Sequence, residues 1–292
     1  MRIVCAVQGE AYVRHCAAML HSLLSSHAPG EVRIEYLHDT ETSASGRRRL
    51  AEMVERMGST IAFHSVPDSW VEGLPIKGFT RKATWYRMFL TRLLPDAERA
   101  LYLDLDLLVH DSLRPLWETD LGGQLIGAVT NVPPGPERGR ARPELAGDPY
   151  FNAGVLLFDL DAMRREATDE QLRRYALANA RRLPLRDQDT FNAVLHARRY
   201  PLHPRWNVMN SIQSWDYATD YFTADEITEA RANPAIRHFE GPSFNKPWHL
   251  LCDTESQRQY INHRRETPWP HVRRTGCTPT NVLRYARRRL RS

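Results

Sequence analysis

The 292-residue sequence lacks the features that mark secreted and membrane-spanning chains. Its four cysteines show neither the Cys-x-x-Cys pairs of a zinc site nor the density of a disulfide-stapled domain. No long apolar run occurs, and the strand-like start at Met1 has no basic segment followed by an apolar core. We therefore expect a chain that begins at Met1 without a leader and works in the reducing cytoplasm.

Two phosphate-binding motifs are also missing. A dinucleotide fold needs Gly-x-Gly-x-x-Gly after its first strand, whereas Gln8-Gly9-Glu10-Ala11 offers a single glycine there. The sequence contains no Gly-x-x-x-x-Gly-Lys-Ser/Thr either. These absences disfavour a dinucleotide dehydrogenase and exclude a P-loop nucleotidase.

Positive charge is unevenly distributed along the chain. The formal net charge is +5, but residues 273–292 contain seven arginines and no acidic residue, so the remainder carries −2. A basic catalytic face for nucleic acid is therefore not expected. The basic charge belongs to a terminal segment.

The first hundred residues alternate strand-like and helix-like patterns, which predicts a βαβ-built parallel sheet and an α/β fold. Two further helical patterns and a strand pattern follow, and a stretch rich in proline, glycine and charge at 131–149 is the candidate for an insertion or lid. The predicted segments are strands at 3–7, 32–37, 60–66 and 150–158, and helices at 12–26, 45–57, 168–180 and 187–196.

An apolar strand pattern at 100–109 is interrupted by Asp104-Leu105-Asp106. Burying two carboxylates costs several kcal/mol each, unless a cation offsets their charge. Three interpretations remain open for this pair: a surface turn, the nucleophile of an aspartyl phosphatase, or a pair of ligands for Mn²⁺ or Mg²⁺. Strand character on both sides favours the metal, and the late position followed by Leu107-Leu108 disfavours the phosphatase.

Four blocks occur in an order that resembles glycosyltransferase family 8, especially its bacterial lipopolysaccharide α-galactosyl- and α-glucosyltransferases. With the N-terminal strand and Thr84-Trp-Tyr-Arg87, the resemblance extends to about residue 250. The blocks are Leu101-Tyr-Leu-Asp-Leu-Asp-Leu-Leu-Val-His-Asp-Ser-Leu-Arg-Pro-Leu-Trp-Glu-Thr-Asp-Leu, Tyr150-Phe-Asn-Ala-Gly-Val-Leu-Leu-Phe158, Asp187-Gln-Asp-Thr-Phe-Asn192, and His238-Phe-Glu-Gly with Lys246-Pro-Trp248.

This resemblance implies a GT-A fold, a Rossmann-like nucleotide-sugar-binding sheet flanked by helices, which we assign to residues 1–272. It also implies retaining transfer of glucose or galactose from a UDP-sugar donor to a glycan acceptor, such as lipopolysaccharide or lipooligosaccharide. Mn²⁺ would be the metal, with Mg²⁺ as the alternative. The competing functional hypothesis is a nucleotide-sugar-binding protein without turnover.

The resemblance also implies roles for particular positions. The catalytic pair would be Asp187, which binds sugar hydroxyls, and Gln188, whose dipole supports an oxocarbenium-like centre during front-face return. The metal ligands would be Asp104, Asp106 and His238. Donor-binding positions would be Ala6 and Gln8 at the base, Arg87, Asp104, Leu105, Asn152 and Ala153 near the nucleotide and sugar, and Gly241 and Lys246 at the diphosphate.

Simpler interpretations stand beside these roles. His238 suits a hydrogen-bonded core histidine, Lys246 a solvated loop lysine, and Arg87 a local helical ion pair. Asp187 or Asp189 suits a cap at a helix N-terminus.

The sequence departs from the family pattern at two places. Gln8 stands where relatives commonly carry the aspartate that accepts a hydrogen bond from uracil N3–H, and a glutamine carbonyl can accept the same bond. The residues Pro242-Ser-Phe-Asn245 lengthen the gap between Gly241 and Lys246.

The basic tail at 273–292 has apolar residues between its arginines. This pattern is typical of an amphipathic helix at an anionic membrane surface and would bring the enzyme to a lipid-linked acceptor. We therefore expect peripheral contact with the inner face of the cytoplasmic membrane. The alternative is a solvated, frayed terminus.

Overall fold

The structure, a computed structural model, describes residues 1–76, 82–133, 149–252, 254–271 and 274–289. These residues form a seven-stranded sheet in the order β3-β2-β1-β4-β7-β6-β8 and a two-stranded sheet of β5 and β9. The strands are β1 Arg2–Val7, β2 Arg33–His38, β3 Thr60–Ser65, β4 Arg99–Leu103, β5 Leu107–Val109, β6 Ile126–Thr130, β7 Phe151–Asp159, β8 Arg199–Pro201 and β9 Ile236–His238.

Helices cover the sheet and fill its connections. Among the described helices, none combines the length and the apolar content needed to cross a bilayer. The helices are α1 Glu10–Ser25, α2 Ala44–Arg56, α3 Asp68–Val71, α4 Ala83–Tyr86, α5 Leu90–Leu93, α6 Arg114–Trp117, α7 Leu160–Arg165, α8 Thr168–Ala178, α9 Asp187–Leu195, α10 Asn210–Ser214, α11 Ala224–Ala232, α12 Thr254–Arg265 and α13 Pro279–Arg289.

The order of the strands creates a crevice between β1 and β4. Strands β1, β2 and β3 are parallel and extend the sheet in one direction, and β4 then pairs with the other side of β1, also in parallel. Ligands of open α/β sheets bind at such reversals of strand order, beyond the carboxyl ends of the strands. Gln8 and Asp104 lie just beyond the ends of β1 and β4.

The core lies on both faces of the sheet, as the alternation in β1 requires. Ile3 and Cys5 pack on the face covered by α1 and α2. Val4 and Ala6 pack on the opposite face with aromatic residues such as Trp85. Because both faces are covered here, the central strands β1 and β4 are apolar apart from their first residue.

The parallel βαβ start agrees with the prediction, and the four strands and four helices predicted above lie within two residues of their predicted bounds. The apolar segment at 100–109 does not form one interrupted strand, because the chain leaves the main sheet after Leu103. Leu107–Val109 pairs instead with Ile236–His238, in antiparallel register. Most of the predicted insertion, residues 134–148, lies outside the described residues.

The start of the predicted tail is attached to the rest of the chain. Thr275 N donates to Trp248 O at 2.9 Å, and Leu250 N donates to Thr275 O at 3.0 Å. A Cβ atom at Gly276 would lie 1.9 Å from His249 Nε2, so only glycine fits against that ring. Helix α13 follows this attachment.

Candidate functional site

The turn between β4 and β5 places two carboxylates at the crevice. Asp104 N donates to Gly154 O on the neighbouring β7 at 2.8 Å, and Phe239 N donates to Asp106 O at 2.9 Å. One aspartate is therefore attached to the main sheet and the other to the small sheet. The change of sheet turns both side chains into the same space.

His238 completes a three-residue cluster with Asp104 and Asp106. His238 pairs with Leu107 across the small sheet, so its ring lies next to Asp106. His238 Nε2 is 3.4 Å from Asp106 Oδ1 and 3.9 Å from Asp104 Oδ2. One ligand atom from each residue lies within 4.8 Å of the others, a spacing that suits a shared metal ion.

A chain of hydrogen bonds fixes the orientation of His238. The backbone N–H of Gly154 donates to Asn152 Oδ1 at 2.9 Å, and Asn207 Nδ2 donates to the same oxygen at 2.9 Å. Asn207 Oδ1 is therefore left to accept from His238 Nδ1 at 2.8 Å. Because Asn207 holds Nδ1, Nε2 is the ring atom that faces the carboxylates, and it is the atom that would bind a metal ion in place of a proton.

The charges in the cluster raise the pKa of His238 and lower the pKa of Asp106. Burial lowers the pKa of His238, but the negative charges of Asp106 and Asp104 outweigh burial and raise the pKa above its ordinary value. Burial raises the pKa of Asp106, but Lys246 and His238 outweigh burial and bring the pKa well below its usual range. Asp106 is therefore an anion at neutral pH.

Gly154 is the position on β7 that makes room for the cluster. A Cβ atom there would lie 2.2 Å from His238 Cε1 and 2.9 Å from Asp104 Oδ2. Any larger residue would push the imidazole out of place. The sequence block 150–158 contains Gly154, but its role depends on the ring beside it in space. Asn207 lies outside the four blocks and was not identified from the sequence.

Arg87 links two carboxylates that are far apart in the sequence. Its guanidinium lies 3.2 Å from Asp104 Oδ1 and its Nε lies 3.0 Å from Asp187 Oδ2. The side chain also donates to Ala153 O and covers the ring of Tyr102, whose hydroxyl donates to Asp104 at 3.0 Å. The local helical ion pair considered above is therefore wrong for Arg87.

Burial has the largest effect on the pKa of Asp187. Burial raises the pKa of Asp187 to about 6, since the nearby Arg87 only partly offsets the desolvation of the carboxylate and Asp104 adds to the shift. The pKa of Arg87 is raised, because Asp104 and Asp187 outweigh its burial. We call Arg87, Asp104, Asp106, Asp187 and His238 the inner cluster.

The residues expected to face the sugar lie around the inner cluster. Gln188 Oε1 accepts from Ala153 N at 3.0 Å, which holds the amide side chain against β7. Asn152 and Ala153 line the cavity into which the inner cluster opens. Asp189 Oδ2 accepts from Leu185 N at 2.6 Å, and the backbone N–H groups of Asp187 and Gln188 bond to the Asp187 carboxylate, so both aspartates interact with the start of α9.

Lys246 reaches Asp106 despite the lengthened loop before it. Its ammonium donates to Asp106 Oδ2 and to Phe239 O, so the solvated-loop interpretation is wrong. Gly241 has φ 86°, a left-handed conformation that starts the loop at low cost. An ammonium is thus already the counter-ion of Asp106.

The positions expected to bind the nucleotide base lie apart from this cavity. Gln8 Oε1 accepts from Lys82 N at 2.6 Å, and Ala6 is buried in the core. Leu105 packs beside the core residues under α1. The described residues that line the cavity do not include Ala6, Gln8 or Leu105, and their roles stay predictions.

The inner cluster opens into a cavity of about 1660 Å³. Its remaining walls come from the loop before α9, from α10 and from the segment between β9 and α12. This volume exceeds that of an ordinary small-molecule pocket and is large enough for two substrates side by side.

Comparisons with known proteins agree with this geometry. The sequence is 29% identical over 266 residues to General stress protein A of Bacillus subtilis (strain 168), covering 89% of this chain and 92% of the relative. It is 28% identical over 233 residues to Lipopolysaccharide 1,2-glucosyltransferase of Escherichia coli (strain K12), covering 76% and 65% of the two chains.

The crystal structure of the galactosyltransferase LgtC in complex with donor and acceptor sugar analogs superposes with a TM-score of 0.78 at 27% identity. The match covers 92% of this chain and 96% of LgtC. The predicted GT-A fold is confirmed by this likeness. The profile of Glycosyl transferase family 8 matches residues 3–252, so the family predicted from the four sequence blocks is confirmed and the aspartyl-phosphatase alternative loses its basis. The chain belongs to glycosyltransferase family 8.

Proposed function

We propose that this protein transfers glucose or galactose from UDP to a glycan acceptor, with Mn²⁺ as its metal and with retention of the anomeric configuration. The observation that carries the proposal is the cluster of Asp104, Asp106 and His238 at the reversal of strand order. Relatives that act on lipopolysaccharide support a surface glycan, lipopolysaccharide or lipooligosaccharide, as the acceptor.

The donor atoms of the cluster fit a divalent cation. Two carboxylates and one neutral imidazole give mixed O and N ligation, which Mn²⁺ accepts more readily than Mg²⁺. The imidazole is already oriented by Asn207, and Asp106 already has a cationic partner in Lys246. A cation held by these residues would neutralise the diphosphate leaving group.

The protein's own residues bind the donor on either side of that cation. When the donor binds, Lys246 would give up its contact with Asp106 and bind a diphosphate oxygen instead. There its point charge would stabilise the leaving group. Asn152 and Asp187 line the cavity where the hexose would lie and can bond to its hydroxyls. Arg87 holds Asp187 in place and limits the repulsion between Asp187 and Asp104.

Retention does not require a covalent intermediate in this site. Gln188 is a neutral amide and a poor nucleophile, and its carbonyl is held by Ala153 N. Front-face return fits better, since the departing phosphate oxygen can accept the proton of the acceptor hydroxyl. The amide dipole of Gln188 would then stabilise positive charge at the anomeric carbon.

The test incubates purified protein with MnCl₂, with UDP-glucose or UDP-galactose as donor, and with a panel of glycan acceptors that includes delipidated lipopolysaccharide core. We expect UDP release with one donor and an α-linked product by NMR. Full activity in excess EDTA would contradict the metal. Calorimetric binding of UDP-hexose with no UDP release on any acceptor would indicate a nucleotide-sugar-binding protein without turnover.

We further propose that α13 contacts the inner face of the cytoplasmic membrane. Val282 and Leu283 are 48% and 61% exposed, and Arg284 beside them is also exposed. Since Thr275 and Gly276 pack against the catalytic domain, deletion should begin at Pro279. We expect the truncated protein to lose sedimentation with phosphatidylglycerol vesicles and to keep UDP-sugar turnover. Equal sedimentation of both forms would refute the contact.

A further inference from the structure

Two of the exposed large apolar side chains lie at the mouth of the catalytic cavity. Phe244 is 51% exposed and Leu185 is 42% exposed, and both line the cavity. They belong to different segments, Phe244 to the loop after β9 and Leu185 to the loop before α9. We call these two residues the rim. Exposed apolar side chains at the mouth of a polar cavity point to a ligand that covers them.

The backbone that carries Phe244 is firmly held. Asn245 N donates to Pro242 O at 2.9 Å, and Asn245 Nδ2 donates to Glu240 O at 3.0 Å. The thiol of Cys252 donates to Asn245 O at 3.3 Å. The aromatic ring is therefore presented to the cavity by a loop with fixed ends, and binding a ligand would cost little ordering entropy.

Polar groups near this loop suit a sugar. Glu240, Glu255, Ser256 and Gln259 line the same cavity, and Gln259 Nε2 donates to Glu255 Oε1 at 3.2 Å. A hexose has one face of C–H groups and an edge of hydroxyls. An aromatic face bordered by carboxylate, hydroxyl and amide groups matches both, with stacking on the ring and hydrogen bonds at its edge.

Position distinguishes the acceptor sugar from the donor sugar. The residues expected to hold the donor hexose, Arg87, Asn152 and Asp187, are buried at the inner end of the cavity. Phe244 is half-exposed at the outer end, yet it lies two residues from Lys246, so their Cα atoms are at most about 7 Å apart. An acceptor must enter from solvent, reach the diphosphate and leave the rest of its glycan outside.

We propose that Phe244 is the aromatic platform on which the terminal hexose of the acceptor stacks, with Leu185 on the opposite rim. This assignment rests on the proposed function and adds a residue that determines acceptor affinity. The loop residues Pro242 to Asn245, which lengthen the segment relative to the family pattern, supply the platform.

The test compares Phe244→Ala with Phe244→Tyr, and uses Tyr200→Ala as a matched control. Tyr200 is also exposed, on the edge strand β8, and does not line the cavity. The assay measures UDP release from the donor alone and with methyl glucosides, methyl galactosides and their disaccharides. We expect the acceptor KM to rise about three- to tenfold in Phe244→Ala, as loss of one stacking contact implies.

The donor KM and the slow hydrolysis without acceptor should stay unchanged in Phe244→Ala, and Phe244→Tyr should restore the acceptor KM. An unchanged acceptor KM, or an equal rise in the donor KM, would refute the platform. Hydrolysis by the unsubstituted protein without transfer to any hexoside would also refute it. Absence of both hydrolysis and transfer in the unsubstituted protein would instead refute the proposed function.

Discussion

The inner cluster and the rim lie in one cavity but are built differently. Arg87, Asp187 and His238 of the inner cluster are buried, and Asp104 and Asp106 are only partly exposed. Each of the five has an opposite charge or a hydrogen bond from another element of the fold. The rim residues Leu185 and Phe244 are exposed and carry no charge. A change in the inner cluster should therefore alter stability and chemistry together, because it leaves a buried group unpaired. A change in the rim should alter only acceptor binding.

The largest expected effect is the loss of activity in Asp106→Ala. Removal of this carboxylate leaves His238 without its nearest anion and Lys246 without its partner. We expect UDP-sugar turnover to fall on the order of 10³-fold, as loss of a charge-stabilising group in a catalytic site commonly does. Asp111→Ala is the control, since Asp111 lines the same cavity but pairs with Arg205 at 2.7 Å. Equal losses of turnover in both variants would show that Asp106 matters no more than another carboxylate of the cavity.

A large effect on stability is expected for Arg87→Met. This variant keeps the side-chain length but leaves Asp104 and Asp187 without their common cation. We expect the free energy of unfolding to fall by about 3 kcal/mol in urea titrations at pH 7.5. Arg198→Met is the control, since Arg198 and Glu166 pair at 2.6 Å with both side chains more than a third exposed, and its loss should cost less than about 1 kcal/mol. Similar losses of unfolding free energy in the two variants would show that burial does not increase the contribution of this ion pair to stability.

The variant Asn207→Ala tests whether the hydrogen bond between Asn207 and His238 contributes to metal binding. Without the oxygen that accepts from Nδ1, His238 loses its fixed orientation. We expect the Kd for Mn²⁺, measured by calorimetry in the presence of UDP, to rise ten- to a hundredfold. Asn233→Ala is the control, since Asn233 lines the cavity but is exposed. An unchanged Kd in Asn207→Ala would show that Asp104 and Asp106 orient the metal alone.

The smallest expected effect concerns the buried rings that follow the loop of Phe244 and Lys246. Trp248, two residues beyond Lys246, stacks on His15 with ring centroids 3.8 Å apart, and His15 Nδ1 is 2.6 Å from Tyr260 Oη. Burial lowers the pKa of His15 to about 3, with Arg264 and Arg14 adding to the shift.

Below the ordinary pKa of 6.5, the unfolded chain therefore binds a proton at His15 that the folded protein excludes. The stabilising contribution of neutral His15 is present above pH 6.5 and falls as the pH falls toward 3. Between pH 6.5 and 5 it should decrease by about 2 kcal/mol. The difference in unfolding free energy between the unsubstituted protein and His15→Gln should shrink by that amount. A constant difference over this pH range would contradict the assignment.

Local patterns were sufficient for much of the fold. Val13, Cys16, Ala17 and Leu20 recur at helical spacing, and they form the buried face of α1. Gly58 has φ 74° just after α2 ends, the left-handed conformation with which glycine commonly ends a helix. Such features depend on residues a few positions apart, so a short window of sequence contains the whole cause.

The strand at 100–109 shows where a local pattern is insufficient. Its apolar residues predict burial equally well in one sheet or in two. The partner that draws Leu107–Val109 out of the main sheet is Ile236–His238, which lies far along the chain. Since hydrogen bonds between strands form with whichever edge is adjacent in space, the change of sheet is decided by tertiary packing.

By itself the sequence determined the family, the βαβ order and the Asp-x-Asp pair with His238 and Lys246 as its companions, because each rests on residue types in a fixed order. Only the tertiary structure decided that Lys246 reaches Asp106, that Asn207 orients His238 and that Gly154 leaves space for the ring. It also placed Phe244 at the mouth of the cavity. These relations join residues from separate elements at distances of a few ångströms, and such distances exist only once the sheet, its crevice and the second small sheet have packed together.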